Sequence, residues 1–268
     1  MIHFFAGAHK NGSHFQFYAL EEALKQRALP YRTLGLEALH AHDLNRSRAL
    51  ISELRGADET ILLKGHWYRR REQTLLLGEE TIKVYLIWRD LKDVLISSYH
   101  YQINKFGADD RGFRVFYFED GGRELLIEQS LYRLAWSGKG AHETSYEALV
   151  DDFPSEAKRL LDYAGVDGVD LDALQRETSI GRLRETRDDK KGVFFRKGTT
   201  GQFRDFHFEP DIVVDMAKLT KLGRSALLRE QRFQKAKRGI KKLVAKIGFP
   251  EPCHRAERAQ RTRHAKKA

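Results

Sequence analysis

The stretch Phe4–Phe15, FFAGAHKNGSHF, predicts a short buried strand, a glycine-containing turn and the start of a helix. At such a strand-to-helix turn the first backbone N–H groups of the helix have no partner within the helix, and the helix dipole adds positive potential. A turn of this kind binds anions readily. The stretch therefore predicts a phosphate-type anion site directly after the first strand.

The residue after Gly12 distinguishes this turn from the P-loop of nucleoside-triphosphate sites. Gly7 and Gly12 have the spacing of a nucleoside-triphosphate P-loop, but Ser13 stands where the P-loop has its lysine. The one lysine of the stretch, Lys10, lies two residues before Gly12. The turn thus lacks the adjacent lysine and hydroxyl that bind a γ-phosphate and Mg²⁺. A tight turn without a ligand is the alternative interpretation.

Composition narrows the class of protein. The 268 residues are 41% hydrophobic and 32% charged, enough for one sizeable domain with a buried core. We expect no secretory signal, because the first strand follows Met1 almost at once, and no stretch has the roughly 18 apolar residues that span a bilayer. The single cysteine, Cys253, excludes an intramolecular disulfide and a cysteine-based zinc site. We therefore expect a reducing, cytoplasmic setting.

Apolar runs alternate with helical patterns along the chain. Strands are predicted at Ile2–Gly7, Tyr31–Leu36, Thr60–Lys64, Lys83–Trp88 and His142–Tyr146. Helices are predicted at Phe15–Ala28, Arg46–Arg55, Leu91–Phe106, Arg123–Trp136, Pro154–Ala164 and Leu171–Ser179. This alternation predicts a single α/β domain, with a P-loop-like parallel sheet flanked by helices and a basic helical C-terminal tail. Phe106–Gly122 is predicted to be a loop or lid, and Gly181–Phe208 a loop that a ligand orders.

Basic and titratable side chains follow three of the predicted strands. Lys10 follows the first strand, and Arg89 follows Lys83–Trp88. Lys64 and His66 lie at the end of the strand between them. Ligands of open parallel sheets bind at the carboxyl ends of the strands, so we expect these four side chains to meet at one rim.

Lys64 and His66 form the first candidate pair. Residues two apart on an extended strand point to the same side, which would place an ammonium beside an imidazole. A neighbouring cation lowers the pKa of a histidine and keeps it neutral, so that it can act as a base near pH 7. The alternative is a surface lysine and a hydrogen-bonded histidine.

Arg89 and Ser97 form the second candidate pair. The helix after Arg89 is expected to begin near Asp90, a favourable N-cap. Ser97 lies two turns further on and would face the same groove as Arg89. A guanidinium beside a hydroxyl suits a phosphate monoester. A capped helix with an incidental surface arginine is the alternative.

The stretch Phe194–Gly201, FFRKGTTG, places two cations before a glycine, outside any helix or strand pattern. Consecutive amides in such a turn bind anions, and the cations strengthen the binding. Arg196, Lys197 and Gly198 are therefore candidate anion ligands, and the preceding aromatic side chains are placed to stack on a base. A nucleic-acid contact is an equal alternative at this stretch.

Positive charge is concentrated at the C-terminus. The formal charge is +10, and residues 232–268 hold 13 Lys and Arg against two acidic side chains, Glu251 and Glu257. We therefore divide the chain into a domain at 1–231 and a basic helix and tail at 232–268. A solvated helix is one interpretation, and attraction to an anionic membrane or nucleic acid is the other. Interleaved apolar residues between Phe233 and Ile247 allow an amphipathic helix, which favours the membrane.

Taken in chain order, these motifs resemble those of the cytosolic-type sulfotransferases, which use 3′-phosphoadenosine 5′-phosphosulfate (PAPS). His9–Phe15 is similar to the family's 5′-phosphosulfate loop, Pro-Lys-Ser-Gly-Thr-Thr-Trp, and Lys64–His66 to its Lys-Thr-His strand end. Further similar segments are Arg89–Val94 with Ser97, Tyr146-Glu147, Thr178–Ile180 and Arg196–Gly201. His9, Phe15 and Ile180 depart from the family pattern, which has proline, tryptophan and phenylalanine there.

The resemblance implies which residues contact PAPS. For the 5′-phosphosulfate it implies Lys10, Asn11, Gly12, Ser13 and His14. For the 3′-phosphate it implies Arg89, Ser97, Arg196, Lys197 and Gly198, and for the adenine Tyr146, Thr178 and Phe194.

The resemblance also implies a reaction, the transfer of the sulfuryl group of PAPS to an acceptor hydroxyl with adenosine 3′,5′-bisphosphate (PAP) as product. His66 would accept the proton of that hydroxyl, while Lys64 and Lys10 would neutralise charge on the sulfuryl oxygens and the departing phosphate. We expect no metal in this reaction. The alternatives are a P-loop kinase, and a basic membrane- or RNA-binding module whose core is inert.

The acceptor is expected to be polar. Trp67–Glu72 and Phe106–Gly122 combine charged and aromatic side chains and are the candidate acceptor contacts. Arginine-rich walls suit a glycan, a glycolipid or a phosphorylated metabolite better than a steroid. The basic tail would then hold the enzyme at an anionic membrane surface, and we expect no nucleic-acid partner.

Overall fold

The computed structural model describes residues 1–34, 44–67, 73–77, 79–186 and 198–247. Its sheet has five strands: β1 Ile2–Phe5, β2 Tyr31–Leu34, β3 Thr60–Lys64, β4 Ile82–Trp88 and β5 His142–Ser145. Every pairing is parallel, in the order β2-β3-β1-β4-β5. The parallel α/β sheet expected from the sequence is confirmed.

Strand β1 lies at the centre of the sheet, and its register sets the rim. Phe5, its last residue, is paired with Lys64 of β3 on one side and with Tyr85 of β4 on the other. Parallel pairing brings the carboxyl ends of neighbouring strands to one edge. The segments after β1, β3 and β4 therefore leave the sheet side by side.

Helices cover the sheet on both faces. In chain order, the helices of the described residues are α1 Ser13–Gln26, α2 Leu44–Leu54, α3 Leu91–Phe106, α4 Phe113–Phe118, α5 Gly122–Trp136, α6 Tyr146–Asp151, α7 Phe153–Ala164, α8 Leu171–Glu177, α9 Ile180–Thr186, α10 Pro210–Thr220 and α11 Arg224–Ile247, with a 3₁₀ helix at Gln202–Asp205. Successive residues of β1 point to opposite faces, so Phe4 and Phe5 anchor two separate cores. Phe4 packs in the core that holds Trp136 of α5, and Phe5 in the core that holds Leu20 of α1.

Two segments expected to be loops contain helices. Phe106–Gly122 includes α4, because Phe113, Phe116 and Tyr117 have helical spacing and are all buried. The flanking glycines made this short helix resemble a loop. Gly181–Phe208 begins within α9, which Leu183 anchors, and includes the 3₁₀ helix. Residues 187–197 of that segment lie outside the described part of the chain.

The contacts divide the chain into two compact units, Met1–Lys221 and one that starts at Leu222. The first unit contains the sheet and α1 to α10. The second begins with α11, whose side chains Phe233, Ile240 and Leu243 are exposed by 57 to 64%. A domain boundary at residue 231 remains a prediction. Among the described residues, no helix combines the length and hydropathy needed to cross a membrane.

Candidate active site

The turn after β1 is shaped by two close approaches. A Cβ at Gly7 would overlap the side chain of Ser13, and one at Gly12 would overlap the ring of Tyr146. Gly12 also has φ +90, a value that a side chain disfavours. Gly12 is the N-cap of α1, and no side chain of the described residues caps that helix. The Phe15 N–H donates to the carbonyl of Gly12 (2.8 Å), and no described side chain competes with an anion for the other amides at the start of this helix.

Two amide side chains attach this turn to β4. Asn11 Nδ2 donates to the carbonyl of Ile87 (3.1 Å), and Gln16 Nε2 donates to that of Leu86 (3.2 Å). Asn11 and Gln16 are both buried. The turn and the first helical turn therefore hold their shape relative to the sheet without a ligand.

His66 lies beyond β3 and contacts the same turn. Its Nδ1–H donates to the carbonyl of Gly7 at 2.5 Å, which fixes the tautomer, because a carbonyl can only accept. Nε2 therefore carries the free lone pair. Burial, followed by the charges of His9 and Lys64, lowers the pKa of His66 to about 3. The imidazole is neutral throughout the physiological range.

Lys64 is buried at the end of β3 with 6% of its surface exposed. Its Nζ has no hydrogen-bond partner among the described residues. Burial and, second, the charge of Lys10 lower its pKa to about 7. A buried ammonium without an acceptor is costly, and an anion placed beside it relieves that cost.

Helix α5, predicted from the sequence at Arg123–Trp136, supports this side of the rim through contacts that were not predicted. Gln129 Nε2 donates to the carbonyl of His9 (2.6 Å), and the hydroxyl of Tyr132 donates to that of Ala6. The His9 and His66 rings lie 3.8 Å apart between centroids. The two hydrogen bonds from α5 join residues more than a hundred positions apart, so no local sequence pattern indicates them.

Arg89, directly after β4, is buried and held by several groups at once. Its Nη1 donates to the carbonyl of Lys10 (3.5 Å) and its Nη2 to that of Thr199 (3.3 Å). The guanidinium lies 4.4 Å from the centre of the Tyr146 ring. Its Nε is buried without a hydrogen-bond partner in the described part of the chain. Arg89 is thus oriented by the protein and keeps one donor for a ligand.

The expected ligand Gly198 directly precedes Thr199, whose carbonyl accepts from Arg89. Gly198 has φ +70 and packs against Ile180, which starts α9. Thr178 is buried, and its hydroxyl donates to the carbonyl of Leu174 (2.7 Å). Phe15, at the position of the family's tryptophan, stacks on Phe153 with 5.6 Å between ring centroids.

Six further expected site residues complete the set, and three of them lie within the described residues. Lys10 Nζ lies 4.0 Å from the centre of the Tyr101 ring, on α3. His14 and Ser97 are partly exposed on α1 and α3. Phe194, Arg196 and Lys197 lie outside the described residues.

The rim thus combines helix N-terminal amides with Lys10, Lys64, Arg89 and a neutral His66, from three adjacent strand ends. This arrangement can bind a ligand with several negative charges and remove a proton beside it. Groups of His, Cys, Asp and Glu that could hold a metal ion are not found among the described residues.

Sequence comparison identifies the family. The model of the sulfotransferase domain family matches residues 72–237, more than half of the chain. Human sulfotransferase 1C2 is 27% identical over 150 residues, which are 48% of this chain and 50% of that protein. The chain thus matches about half the length of this curated relative.

Solved structures share the fold. The crystal structure of mouse sulfotransferase SULT7A1 complexed with PAP has a TM-score of 0.61 at 18% identity, with 81% of this chain and 82% of that chain covered. Retinol dehydratase in complex with androsterone and PAP has a TM-score of 0.58 at 19% identity, with coverages of 82% and 79%. Because the family model covers more than half of its length, the chain belongs to the sulfotransferase domain family.

Proposed function

We propose that the protein transfers the sulfuryl group of PAPS to a hydroxyl of an acceptor. The observation that carries this proposal is the rim, where a lysine, an arginine and a neutral histidine from three strand ends surround an uncapped helix N-terminus. PAP in the similar mouse structure supports the choice of nucleotide. PAPS bears about four negative charges, which such a set of donors suits.

The turn after β1 would bind the 5′-phosphosulfate. Its contacts are Lys10 and the amides of Asn11, Gly12, Ser13 and His14. The tight packing at Gly7 and Gly12 supports this role, because it brings the backbone itself to the ligand. Lys10 adds a full positive charge beside these amides.

The opposite end would bind the nucleoside and its 3′-phosphate. The phosphate ligands are Arg89, Ser97, Arg196, Lys197 and Gly198, and the adenine contacts are Tyr146, Thr178 and Phe194. Support comes from Arg89, whose buried Nε has no partner among the described residues, and from Tyr146, which packs between Arg89 and Gly12.

The sulfuryl group is transferred in line, with the acceptor oxygen and the departing phosphate oxygen on opposite sides of the sulfur. PAPS supplies an activated sulfuryl group, and the acceptor oxygen bonds to its sulfur as the bond from sulfur to the 5′-phosphate oxygen breaks. His66 Nε2 takes the acceptor's proton, since its Nδ1–H is committed to Gly7. The negative charge of bound PAPS raises the pKa of His66 from its low value in the ligand-free site, which makes the imidazole a stronger base. Lys64 and Lys10 stabilise negative charge on the sulfuryl oxygens and the departing phosphate. No metal takes part.

The acceptor is a polar hydroxyl compound such as a glycan, a glycolipid or a metabolite. Lys105 Nζ donates to the hydroxyl of Tyr101 (2.6 Å), whose ring also contacts Lys10 Nζ, so two cations flank this ring. Androsterone and retinol, present in the retinol dehydratase structures, also carry hydroxyl groups. The cations favour a more polar acceptor here.

Titration calorimetry with PAP, and separately with ATP and Mg²⁺, tests the nucleotide. We expect binding of PAP without metal. Preferential, Mg²⁺-dependent binding of ATP would indicate a kinase instead.

Transfer from labelled PAPS into lipid, glycan and phenol pools then identifies the acceptor class. Labelling of simple phenols alone would contradict the polar acceptor.

We also propose that the basic tail places the enzyme at an anionic membrane surface in the cytoplasm. Phe233, Ile240 and Leu243 are exposed and lie within about a quarter of the circumference of α11. Arg232, Lys235, Lys237 and Arg238 lie on the same helix. Exposed apolar side chains among lysines and arginines suit a membrane interface.

Sedimentation with anionic and neutral vesicles tests this placement. We expect wild type to bind vesicles containing phosphatidylserine, and the double change Phe233→Asp with Ile240→Asp to abolish binding. Val214→Asp, at an exposed valine of α10, is the matched control. Equal sedimentation of the double variant and the control would contradict the placement.

A further inference from the structure

Asp93 is a fully buried carboxylate in the first turn of α3, four residues after Arg89. Its Oδ2 accepts from the backbone N–H of Gly201 (2.8 Å), and its Oδ1 accepts from that of Phe203 (3.0 Å). These donors lie 108 and 110 positions away in the chain. Each carboxylate oxygen thus holds the segment after Gly198 against the start of α3.

The same carboxylate also faces Arg89. Asp93 Oδ2 lies 3.8 Å from Arg89 Nη2, beyond hydrogen-bond distance, whereas that Nη2 donates to the carbonyl of Thr199 at 3.3 Å. Asp93 therefore bonds to the Gly198–Gly201 turn directly, and to the arginine through its charge. Arg89, in turn, holds the turn at Thr199. The three parts form one closed set of contacts.

The Gly198–Gly201 turn has a backbone conformation that favours glycine at two positions. Gly198 and Gly201 have φ +70 and +68, and a Cβ at Gly198 would overlap Ile180. Glycine lowers the cost of such a shape but leaves the backbone free to leave it. The two bonds to Asp93 supply the constraint that the glycines do not.

We propose that Asp93 is a positioning residue that makes Arg89 and the Gly198–Gly201 turn one preformed cradle for a 3′-phosphate. The inference rests on the proposed function, because it takes the ligand of this cradle to be the 3′-phosphate of PAPS. Its consequence is specificity. Adenosine nucleotides that lack a 3′-phosphate leave the cradle unused, so Asp93 governs the preference for PAP over adenosine 5′-monophosphate (AMP).

Removing the charge of Asp93 would also relieve its repulsion of the phosphate, so the first test keeps that charge. Asp93→Glu moves the carboxylate by one methylene and leaves the charge unchanged. Titration calorimetry of this variant with PAP and with AMP separates the 3′-phosphate from the rest of the nucleotide. We expect PAP to bind roughly 10- to 100-fold more weakly, the loss typical of hydrogen bonds to a charged group, and AMP to change by less than about threefold.

Asp215→Glu is the matched control. The Asp215 carboxylate accepts from the hydroxyl of Tyr117 (2.9 Å) and from Arg123 Nε (2.7 Å), so it joins helices in the same unit as Asp93 does. Moving this carboxylate by one methylene should leave the PAP-to-AMP ratio of affinities unchanged. A ratio that falls equally in the control would assign the effect to general loosening and overturn the proposal.

The remaining outcomes are also decisive. If Asp93→Glu loses its cooperative unfolding transition, the isosteric Asp93→Asn is used. Because the lost charge itself favours the phosphate, the readout is then hydrogen exchange of the Gly201 and Phe203 amides without ligand, and at least one of them should exchange roughly tenfold faster than in Asp215→Asn. An unchanged or increased ratio in folded Asp93→Glu, or unchanged exchange in Asp93→Asn, overturns the role of Asp93. A wild-type protein that does not prefer PAP to AMP overturns the proposed function instead.

Discussion

The two ends of the rim treat their cations in opposite ways. Arg89 donates to two carbonyls, contacts the Tyr146 ring and faces Asp93. Lys64 is as deeply buried, yet its Nζ has no hydrogen-bond partner among the described residues and its pKa falls to about 7, through burial and Lys10. One cation is stabilised by the protein, and the other is left for the ligand to stabilise. The first end suits recognition of a fixed group, and the second suits charge that develops during a reaction.

The largest expected effect is at His66. His66→Ala should lower kcat by roughly 10²- to 10⁴-fold, the contribution of a general base, while PAP affinity stays unchanged. His66→Asn should behave alike in kcat, because asparagine can still donate to the Gly7 carbonyl but offers no base. Initial rates at saturating PAPS, with calorimetry of PAP, measure both. His207→Ala, at an exposed histidine, is the control, and an active His66→Asn would exclude His66 as the base.

Arg89 should give the next largest effect, on binding. Arg89→Ala removes a buried cation that is already oriented, so PAP affinity should fall roughly 100-fold. Arg89→Lys keeps the charge but loses the paired donors of the guanidinium, so it should recover only part of the PAP affinity. Calorimetry of PAP measures both variants. Arg133→Ala, an exposed arginine near Trp88, should have no effect. Full recovery by lysine would show that charge alone, without geometry, acts at this end.

The difference between the two ends also shows what the sequence can predict. Lys10, Lys64, His66 and Arg89 each follow a strand that is visible as an apolar run, and parallel pairing then brings the strand ends together. That inference needs only local patterns and the topology of α/β sheets. The glycine turn before α1 is visible for the same reason.

The contacts that hold the rim together could not be predicted from the sequence. Asp93 lies in the segment Arg89–Val94 that resembles the family, but its partners Gly201 and Phe203 lie more than a hundred positions away, so no local pattern indicates what its carboxylate bonds to. Gln129 was part of a predicted helix, and nothing local indicates that it reaches His9. A buried carboxylate or amide finds its partner through the tertiary fold, which a single sequence does not specify by pattern.

Removal of the buried cation should raise the stability of the protein at the Lys64 end and lower it at the Arg89 end. Lys64→Met replaces an ammonium without a partner by an apolar chain of similar length, so the free energy of unfolding without ligand should rise by roughly 1–3 kcal/mol while PAP binding weakens. Urea unfolding at pH 7 measures the change. Lys25→Met, at an exposed lysine of α1, should stay within about 0.5 kcal/mol of wild type. A destabilised Lys64→Met would mean that the protein itself compensates the charge.

The smallest expected effect is on the pH dependence of stability and on the protons taken up when PAP binds. Because the pKa of Lys64 is about 7 in the folded protein and about 10.5 when unfolded, the unfolded chain binds more protons between these values. Lys64 therefore destabilises the folded protein most below pH 7, and this destabilisation declines as the pH rises toward 10.5. An anion beside Nζ raises this pKa again, so PAP binding at pH 7 should take up about half a proton and weaken toward pH 9. Calorimetry in two buffers of different ionisation enthalpy measures the uptake, which should vanish in Lys64→Met; uptake that persists in that variant would place the titrating group elsewhere in the site.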